Sequence, residues 1–302
     1  MPYHIPVLFH TSLEWLNIQA DGLYVDLTFG GAGHSLGILD RLGNAGRLLA
    51  FDQDPDAARN VPADSRLTFI PHRFDQLVSR LKSLDAGYAD GILADLGISS
   101  HQIDTPERGF SYRYDAALDM RMNPEEDYTA AEVLNTLEHP ELARIFRTYG
   151  DLDQASKIAT LVLAYRQGKA FERVEDLLSA LDRITPKHQP AAFLSRVFQA
   201  LRIEVNHEME VLESMLEQAL EVLRPGGRLV VISYHSLEDR MVKHFFRSGN
   251  FQDEAIKDFY GNPICPWKNL TRHPIVPDEN EIANNPRARS AKLRVAEKKT
   301  QT

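Results

Sequence analysis

The architecture follows from one segment, Gly22-Leu23-Tyr24-Val25-Asp26-Leu27-Thr28-Phe29-Gly30-Gly31-Ala32-Gly33-His34-Ser35. Residues 23–27 form an apolar run broken only by an aspartate, which is typical of a buried parallel strand. A glycine-dense turn follows, and the apolar residues of 35–42 then recur at helical spacing. A strand, a glycine turn and a helix hold nucleotide-type cofactors, because glycines let the backbone approach the ligand and the helix N-terminus offers unpaired N–H groups. The alternative interpretation is an ordinary tight turn in an α/β protein.

The spacing of the glycines argues against a dinucleotide cofactor. A Gly-x-Gly-x-x-Gly fingerprint counted from Gly31 would place its third glycine at Leu36. The next predicted strand, residues 47–51, ends in Asp52, where a carboxylate can accept hydrogen bonds from ribose hydroxyls. A ribose site without a pyrophosphate site indicates S-adenosylmethionine rather than NAD.

Predicted strands alternate with helices along the chain, which favours a doubly wound parallel sheet of the Rossmann-like α/β class. The strands are predicted at 23–27, 47–51, 67–70, 91–94 and 228–233. In such a sheet, ligands bind outside the carboxyl ends of the strands. Asp52, Phe74 and Asp95 are expected at that edge.

Between the fourth and fifth strands, an ordered loop is predicted first, and only helical segments are predicted from Thr129 to about Leu201. One of them begins at a capping box, Thr129 with Glu132, and another is predicted to begin with Asn206 as its N-cap. We therefore expect a discontinuous sheet domain of residues 1–107 and 202–302, interrupted by an all-helical domain of residues 108–201. An insertion at this point can cover the cofactor or grip a large substrate. The alternative is that it only adds core or a dimer contact.

Composition limits the classes of protein that remain. The 302 residues are 43% hydrophobic and 25% charged, as in ordinary globular proteins, and the net charge of −9 argues against indiscriminate nucleic-acid binding. The single cysteine, Cys265, excludes an internal disulfide and leaves a structural zinc site without thiolates, so no metal site is expected. We see neither a secretory signal nor an apolar run of membrane-spanning length, and we expect a cytoplasmic protein.

The last part of the chain has a different charge pattern. Residues 286–294 carry four cations and no acid, and their apolar residues predict a docked strand. Whether this stretch also contacts phosphates is left open.

The sequence resembles the MraW family of ribosomal RNA methyltransferases, with motifs that span nearly the whole chain in order. The matching motifs are His4-x-Pro6-Val7-Leu8, Asp26-x-Thr28-Phe29-Gly30-Gly31-x-Gly33-His34-Ser35, Asp52-x-Asp54-Pro55, residues 90–100, Arg108-Gly109-Phe110-Ser111, residues 118–122, residues 200–206, Ile232-Ser233-Tyr234-His235-Ser236-Leu237-Glu238-Asp239-Arg240 and residues 285–290.

The resemblance implies S-adenosylmethionine-dependent methylation of N4 of a cytidine, position 1402, in the decoding region of 16S rRNA in the small ribosomal subunit. On that basis residues 1–107 and 202–302 are the methyltransferase domain, and residues 108–201 recognise the substrate. It leaves open whether the chain is a monomer or a homodimer. The family's cofactor contacts fall on Gly31, Ala32, Gly33, His34, Asp52, Phe74, Asp95 and Gln102.

The sequence departs from the family pattern at three places. Ala32 stands where a third consecutive glycine is usual, and His101 replaces a proline before Gln102. Ala116-Ala117 replaces a Gly-Pro pair in a loop on the substrate side.

The chemistry of N4 methylation favours two residues as catalytic candidates. Cytosine N4 is a poor nucleophile because its lone pair is delocalised into the ring, and an acceptor for one N4 proton would help to localise that pair. Asp95, at the end of the fourth strand, is a candidate for this role, for a cofactor contact, or for both. His235, just after the fifth strand, is a candidate proton shuttle, an RNA contact or a structural residue.

Candidate substrate contacts lie in the loop after the fourth strand. Arg108, Arg113 and Arg121 are predicted to contact phosphates. Phe110, together with Tyr112, is predicted either to stack on a displaced base or to pack inside the protein.

Two other functions compete with this interpretation. A DNA amino-methyltransferase would carry a Pro-Pro-aromatic turn after the acid, and Asp95-Leu96-Gly97-Ile98 lacks it. A non-catalytic rRNA-binding assembly factor would not need to keep both Asp52 and Asp95.

Methylation at C5 ordinarily needs a cysteine nucleophile, and Cys265 is far in sequence from every cofactor motif. Methylation of the ribose would favour a lysine base, which none of the motifs at the first four strands contains.

Overall fold

The computed structural model describes residues 6–300, so His4 of the first motif lies outside the described residues. The described chain divides into two compact units. The first unit comprises the residues up to Gly97 and those from Met209 onward, and the second comprises Ile98–Glu208.

The first unit contains a mixed seven-stranded sheet. Its strands are β1 (Leu23–Asp26), β2 (Arg47–Phe51), β3 (Leu67–Ile70), β4 (Ala89–Asp95), β5 (Leu223–Ser233), β6 (Trp267–Asn269) and β7 (Lys292–Lys298). Their order across the sheet is β3-β2-β1-β4-β5-β7-β6. Strands β1 to β5 pair in parallel, whereas β7 pairs antiparallel with both β5 and β6. The predicted Rossmann-like α/β class is confirmed, and all five predicted strands form.

Residues 6–300 also contain twelve α-helices. They are α1 (Phe9–Leu16), α2 (Gly33–Leu39), α3 (Leu77–Ser83), α4 (Ser100–Asp104), α5 (Ala130–Thr136), α6 (His139–Thr148), α7 (Ala155–Arg166), α8 (Val174–Leu181), α9 (Pro190–Asn206), α10 (Glu208–Val222), α11 (Ser236–Ser248) and α12 (Glu279–Asn284). None of the helices in the described part of the chain is both long and apolar enough to cross a membrane.

Alternate residues of the central strands pack into different cores, which shows that both faces of the sheet are covered. Val25 and Ile92 belong to a core cluster that includes Leu212 of α10 and Phe245 of α11. Tyr24, Leu48 and Leu93 belong to another cluster, which includes side chains from α1 and α2. Helices on both faces are what a doubly wound sheet requires.

The C-terminal stretch, predicted to form a docked strand at residues 286–294, does so only in part: Pro286–Ser290 forms a 3₁₀ helix, and β7 begins at Lys292. Strand β7 lies beside β5 with Val295 opposite Val230, and both side chains are fully buried. The apolar residues of this stretch therefore pack in the sheet, although it is rich in cations.

The second unit is built mainly from helices α4 to α9. The predicted capping box at the start of α5 is present: the backbone N–H of Glu132 donates to Oγ1 of Thr129 at 3.2 Å, and the backbone N–H of Thr129 donates to Oε2 of Glu132 at 2.7 Å. These bonds satisfy N–H groups that the first turn of a helix leaves unpaired.

The prediction that Asn206 caps a following helix is wrong. Asn206 is the last residue of α9, and His207 separates α9 from α10 in a left-handed conformation with φ of 51°. The Asn206 side chain accepts the N–H of Met122 at 2.7 Å and donates to the carbonyl oxygen of Met120 at 2.8 Å. Its polar side chain ties α9 to the loop of residues 118–122 instead of starting a helix.

Candidate active site

The order of the strands places a crevice between β1 and β4. The chain leaves β1 towards β2 and β3 and then returns to the other side of β1 as β4, so the connections after β1 and β4 diverge. Ligands of doubly wound sheets bind at such a switch point, outside the carboxyl ends of the strands. The predicted site residues Asp52 and Asp95 lie at this edge, directly after β2 and at the end of β4.

The glycine turn after β1 is held in shape by Asp26. One carboxylate oxygen accepts the N–H of Thr28 at 3.1 Å, and the other accepts the hydroxyl of Ser35 at 2.6 Å. Asp26 is 1% exposed, and burial raises its pKa. The hydroxyl of Thr28 in turn accepts the N–H of Asp95 at 2.7 Å, which links the turn to the end of β4. No role was predicted for Asp26 or Thr28, although both stand in the glycine-turn motif.

The turn leaves one side of its backbone open. A Cβ atom built on Gly31 would meet no heavy atom of the described residues within 4 Å, whereas one built on Gly33 would collide with Pro6. Ala32 takes a left-handed conformation with φ of 66°, although alanine stands where the family usually has glycine. A non-glycine residue in this region costs roughly 1–2 kcal/mol. The open backbone at Gly31 fits a cofactor that approaches the turn closely.

Asp52 connects the glycine turn to the end of β2. Oδ2 accepts the N–H of Gly30 at 2.7 Å, and Oδ1 accepts the N–H of Asp54 at 2.8 Å. Burial raises the pKa of Asp52 to about 6, and the negative charges of Asp54 and Asp26 act in the same direction. Each carboxylate oxygen can accept a second hydrogen bond. Above pH 6 the ionised side chain is therefore suited to bind two ribose hydroxyls.

Asp95 and Tyr234 form a hydrogen-bonded pair at the ends of β4 and β5. The Tyr234 hydroxyl donates to Oδ1 of Asp95 at 2.8 Å. Burial raises the pKa of Asp95 to about 7, the hydrogen bond from Tyr234 lowers it, and the charges of Asp26 and Glu238 raise it further. The Asp95 side chain is still 21% exposed. The carboxyl group can therefore change its protonation state near neutral pH and remains partly accessible.

No role was predicted for Tyr234. A signal for it was nevertheless present, since the predicted sheet places the ends of strands four and five side by side. In the register of the two strands, Asp95 is paired with Ile232, two residues before the tyrosine.

His34 lies beside the Asp95 carboxylate as a neutral side chain. Burial lowers the pKa of His34 to about 4, so the 3.8 Å between its Nδ1 and Oδ2 of Asp95 is not an ion pair at neutral pH. Its ring stacks on Phe9 with centroids 6.0 Å apart. Within residues 6–300, Nε2 is buried without a hydrogen-bond partner. Because Nε2 has almost no accessible surface, the predicted contact of His34 with a cofactor stays a prediction.

His235 caps a helix. Its Nδ1 accepts the N–H of Glu238 at the start of α11 at 3.4 Å, and its Nε2 lies 3.2 Å from Oε1 of the same glutamate. The side chain is only 7% exposed. This geometry gives His235 a structural role, and its predicted roles as a proton shuttle or RNA contact stay predictions.

The two other predicted cofactor residues lie in different units. Phe74 begins a 3₁₀ helix, Phe74–Gln76, shortly after β3, and it packs against the core of the first unit. Gln102 belongs to the second unit and completes the capping box of α4, where its Oε1 accepts the N–H of Ser99 at 3.0 Å. Their contacts with a cofactor stay predictions.

Two of the three predicted phosphate-binding arginines have partners inside the second unit. Arg108 donates to the carbonyl oxygens of Arg121 at 3.0 Å and of Met122 at 2.7 Å. Arg121 forms a two-point ion pair with Asp119, at 2.9 and 2.6 Å. Arg113 has an exposed side chain. Of the three, Arg113 is therefore the best placed for a phosphate, and the contacts themselves stay predictions.

The predicted stacking aromatics pack within the second unit. Phe110 is 8% exposed, and the guanidinium of Arg108 lies 6.0 Å from the centre of its ring. Tyr112 meets Phe198 edge to face at 5.7 Å. Packing is thus the role that the structure supports for both rings.

The cations of the C-terminal stretch are partly paired. Arg294 is 6% exposed and donates to Asp239 at 2.6 Å, and Lys292 lies 3.3 Å from the same carboxylate. One carboxylate of α11 therefore binds two of the four cations.

We expect Asp95→Asn to stabilise the cofactor-free protein at alkaline pH. An unfolded carboxyl titrates near pH 4, whereas folded Asp95 titrates near pH 7. The folded state therefore holds a proton that the unfolded chain has already released, and this group's contribution to stability falls as pH rises from about 4 to 7. At 1.36 kcal/mol per pKa unit, the gain at pH 8 should be about 2–4 kcal/mol. It should shrink towards pH 4.

Urea unfolding followed by tryptophan fluorescence measures this gain, because both tryptophans, Trp15 and Trp267, belong to the first unit. Asp40→Asn, at an exposed carboxylate, is the control. A gain for Asp95→Asn that is equal at pH 5 and pH 8 would contradict the assignment.

Comparison with known proteins agrees with the motifs. A model of the MraW methylase family matches residues 1–299. A protein of Bacteroides fragilis strain YCH46 named ribosomal RNA small subunit methyltransferase H is 52% identical to this chain over 297 residues. The match covers 98% of each chain. The relative of the same name in Bacteroides thetaiotaomicron is 52% identical over 299 residues, covering 99% of this chain and 98% of its own. That in Flavobacterium johnsoniae is 50% identical over 298 residues, with the same coverage. The chain therefore belongs to the MraW methylase family of S-adenosylmethionine-dependent methyltransferases.

Proposed function

We propose that this methyltransferase acts on N4 of a cytidine, position 1402, in the decoding region of 16S rRNA, with the small ribosomal subunit as its substrate. The small-subunit rRNA substrate is supported by the names of relatives about 50% identical over nearly the whole chain. The observation that carries the choice of an exocyclic amine is the Asp95–Tyr234 pair at the end of β4.

Two features of the first unit fit S-adenosylmethionine, the open backbone at Gly31 and the carboxylate of Asp52. His34 is included on the strength of the family motif. When bound, the cofactor supplies a methyl group made electrophilic by its sulfonium. Phe74 and Gln102 complete the proposed set on the strength of the family motifs.

Asp95 is the proposed acceptor for an N4 proton. A carboxylate oxygen that accepts a hydrogen bond from N4 draws electron density onto nitrogen and favours its lone pair as nucleophile. The Tyr234 hydroxyl occupies Oδ1 and fixes the rotation of the carboxyl group, which leaves Oδ2 for the amine. Alignment of the reacting atoms by such fixed groups supplies a large part of catalysis in a displacement reaction.

The second unit is proposed to recognise the substrate. Arg113 is its proposed phosphate contact, since its side chain is exposed. Arg108, Arg121 and the ring of Phe110 then act mainly by holding the loop that carries Arg113, through the carbonyl, carboxylate and packing contacts described above.

Replacing Asp52 with alanine should weaken binding of S-adenosylmethionine by about 10- to 150-fold. Hydrogen bonds to a charged group are worth about 1.5–3 kcal/mol, which corresponds to that range. The variant also removes the acceptors of the Gly30 and Asp54 N–H groups, which adds to the loss. Isothermal calorimetry measures the affinity. Asp64→Ala is the control, because its partner is Arg66 before β3. Unchanged affinity in a folded Asp52→Ala protein would remove this carboxylate from the site.

The product of the reaction tests the proposed function. Small subunits that lack the modification, treated with the protein and labelled cofactor, should yield N4-methylated cytidine on nucleoside digestion and mass spectrometry. Duplex DNA offered in parallel should not be labelled, because the turn after Asp95 lacks the Pro-Pro-aromatic sequence. Label on C5, on ribose or on protein would disprove the proposal, and the absence of turnover would favour an assembly factor.

A further inference from the structure

Two aromatic side chains of the first unit are almost fully exposed at the tip of a hairpin. Phe259 is 96% exposed and Tyr260 is 85% exposed, and their rings meet edge to face at 5.5 Å. We call residues 256–264 the aromatic hairpin. Neither the fold nor the proposed chemistry at Asp95 accounts for these two rings.

The tip of the aromatic hairpin is an ordered turn. The N–H of Ile264 donates to the carbonyl oxygen of Ile256 at 2.7 Å, and Lys257 and Pro263 form an antiparallel bridge. The carboxylate of Asp258 accepts the N–H groups of Tyr260 at 2.9 Å and of Asn262 at 2.8 Å, as well as the Asn262 side-chain amide at 3.0 Å. These bonds fix the backbone that presents the two rings, so little conformational entropy remains to be lost when they bind.

The chain on both sides of the hairpin is anchored in the core. Phe251 stacks on Phe245 of α11 with centroids 4.9 Å apart. Trp267, 2% exposed, packs against Phe245 at 6.0 Å and Phe246 at 5.6 Å. The hairpin is therefore a rigid projection of the first unit.

The aromatic hairpin carries one exposed cation next to its two rings. Lys257 belongs to the hairpin and its side chain is exposed, as is that of Arg272 further along the chain, whereas Lys268 of β6 lies 3.4 Å from Glu297. The one acid of the hairpin, Asp258, has its carboxylate occupied by three N–H donors.

We propose that the aromatic hairpin stacks on unpaired bases of the RNA substrate, with Lys257 near the RNA backbone. This inference rests on the proposed function for the identity of the substrate. Exposed rings beside cations bind single-stranded RNA because every base offers a face for stacking. A stable contact with a second copy of the chain would need about 800 Å² on each partner, whereas stacking needs only the faces of the rings.

The test compares binding of a fluorescein-labelled single-stranded oligouridine by the full-length protein and its variants. Phe259→Ala with Tyr260→Ala should weaken binding by about 10- to 100-fold, the worth of stacking one or two bases. Phe259→Leu with Tyr260→Leu should be equally weak, because leucine is apolar but cannot stack. Tyr88→Ala should bind as the wild type does. Tyr88 is the matched control, because it is 68% exposed in the same unit and precedes the amino end of β4.

Methylation of small subunits should show the same distinction. The alanine pair should raise KM and leave kcat unchanged, because the hairpin acts in binding. If the wild-type protein does not methylate small subunits, the proposed function is wrong. The oligouridine binding comparison still tests the role of the aromatic hairpin, because it does not depend on methylation.

A second measurement places a fluorescent tryptophan in the hairpin instead of removing an aromatic ring. Phe259→Trp should show fluorescence that is quenched when the oligouridine binds, and Tyr88→Trp should not. Unchanged affinity in the alanine pair, full affinity in the leucine pair, or no quenching of Phe259→Trp would each overturn the proposal. So would light scattering in which the alanine pair changes only the oligomeric mass, since the hairpin would then contact a second copy of the chain.

Discussion

Burial of three carboxyl groups near the switch point of the sheet is the constraint on which the rest of the site depends. Asp26, Asp52 and Asp95 lie at or directly after the ends of β1, β2 and β4, which are neighbours in the sheet. Burial raises the pKa of all three, and the charge of Asp26 raises the pKa of the other two further. Burial of like charges is unfavourable for the folded protein, and such arrangements are found where chemistry requires them.

The three carboxyl groups differ in their hydrogen-bond partners. Asp26 directs both oxygens inward, to Thr28 and Ser35, and so shapes the glycine turn. Asp52 accepts two backbone N–H groups and keeps further acceptor capacity for a ligand. Asp95 has one oxygen bound by Tyr234 and remains partly exposed. One carboxylate is structural, one is the proposed partner of a ribose, and one is the proposed partner of the reacting amine.

Much of this arrangement could be predicted from the sequence, because it depends on local patterns. The five predicted strands, the glycine turn and the capping box at Thr129 follow from periodicity and turn chemistry, and the positions of Asp52 and Asp95 follow from the sheet. The role of Asn206 could not be predicted, since its partners at Met120 and Met122 are more than eighty residues away. The pairing of Arg121 with Asp119 and the helix cap at His235 also depend on side-chain geometry that spacing does not reveal.

The most direct test of the role of Asp95 is the single-turnover rate of methyl transfer as a function of pH, with cofactor and subunits saturating. If the ionised Asp95 accepts the amine proton, the wild-type rate should rise with pH through about 7 and then level off. Tyr234→Phe should move this rise to higher pH, because the tyrosine hydrogen bond lowers the pKa of Asp95. Asp95→Asn should lose about 10²- to 10⁴-fold in rate and show no rise near pH 7. An Asp95→Asn enzyme with the wild-type rate and pH profile would contradict the account.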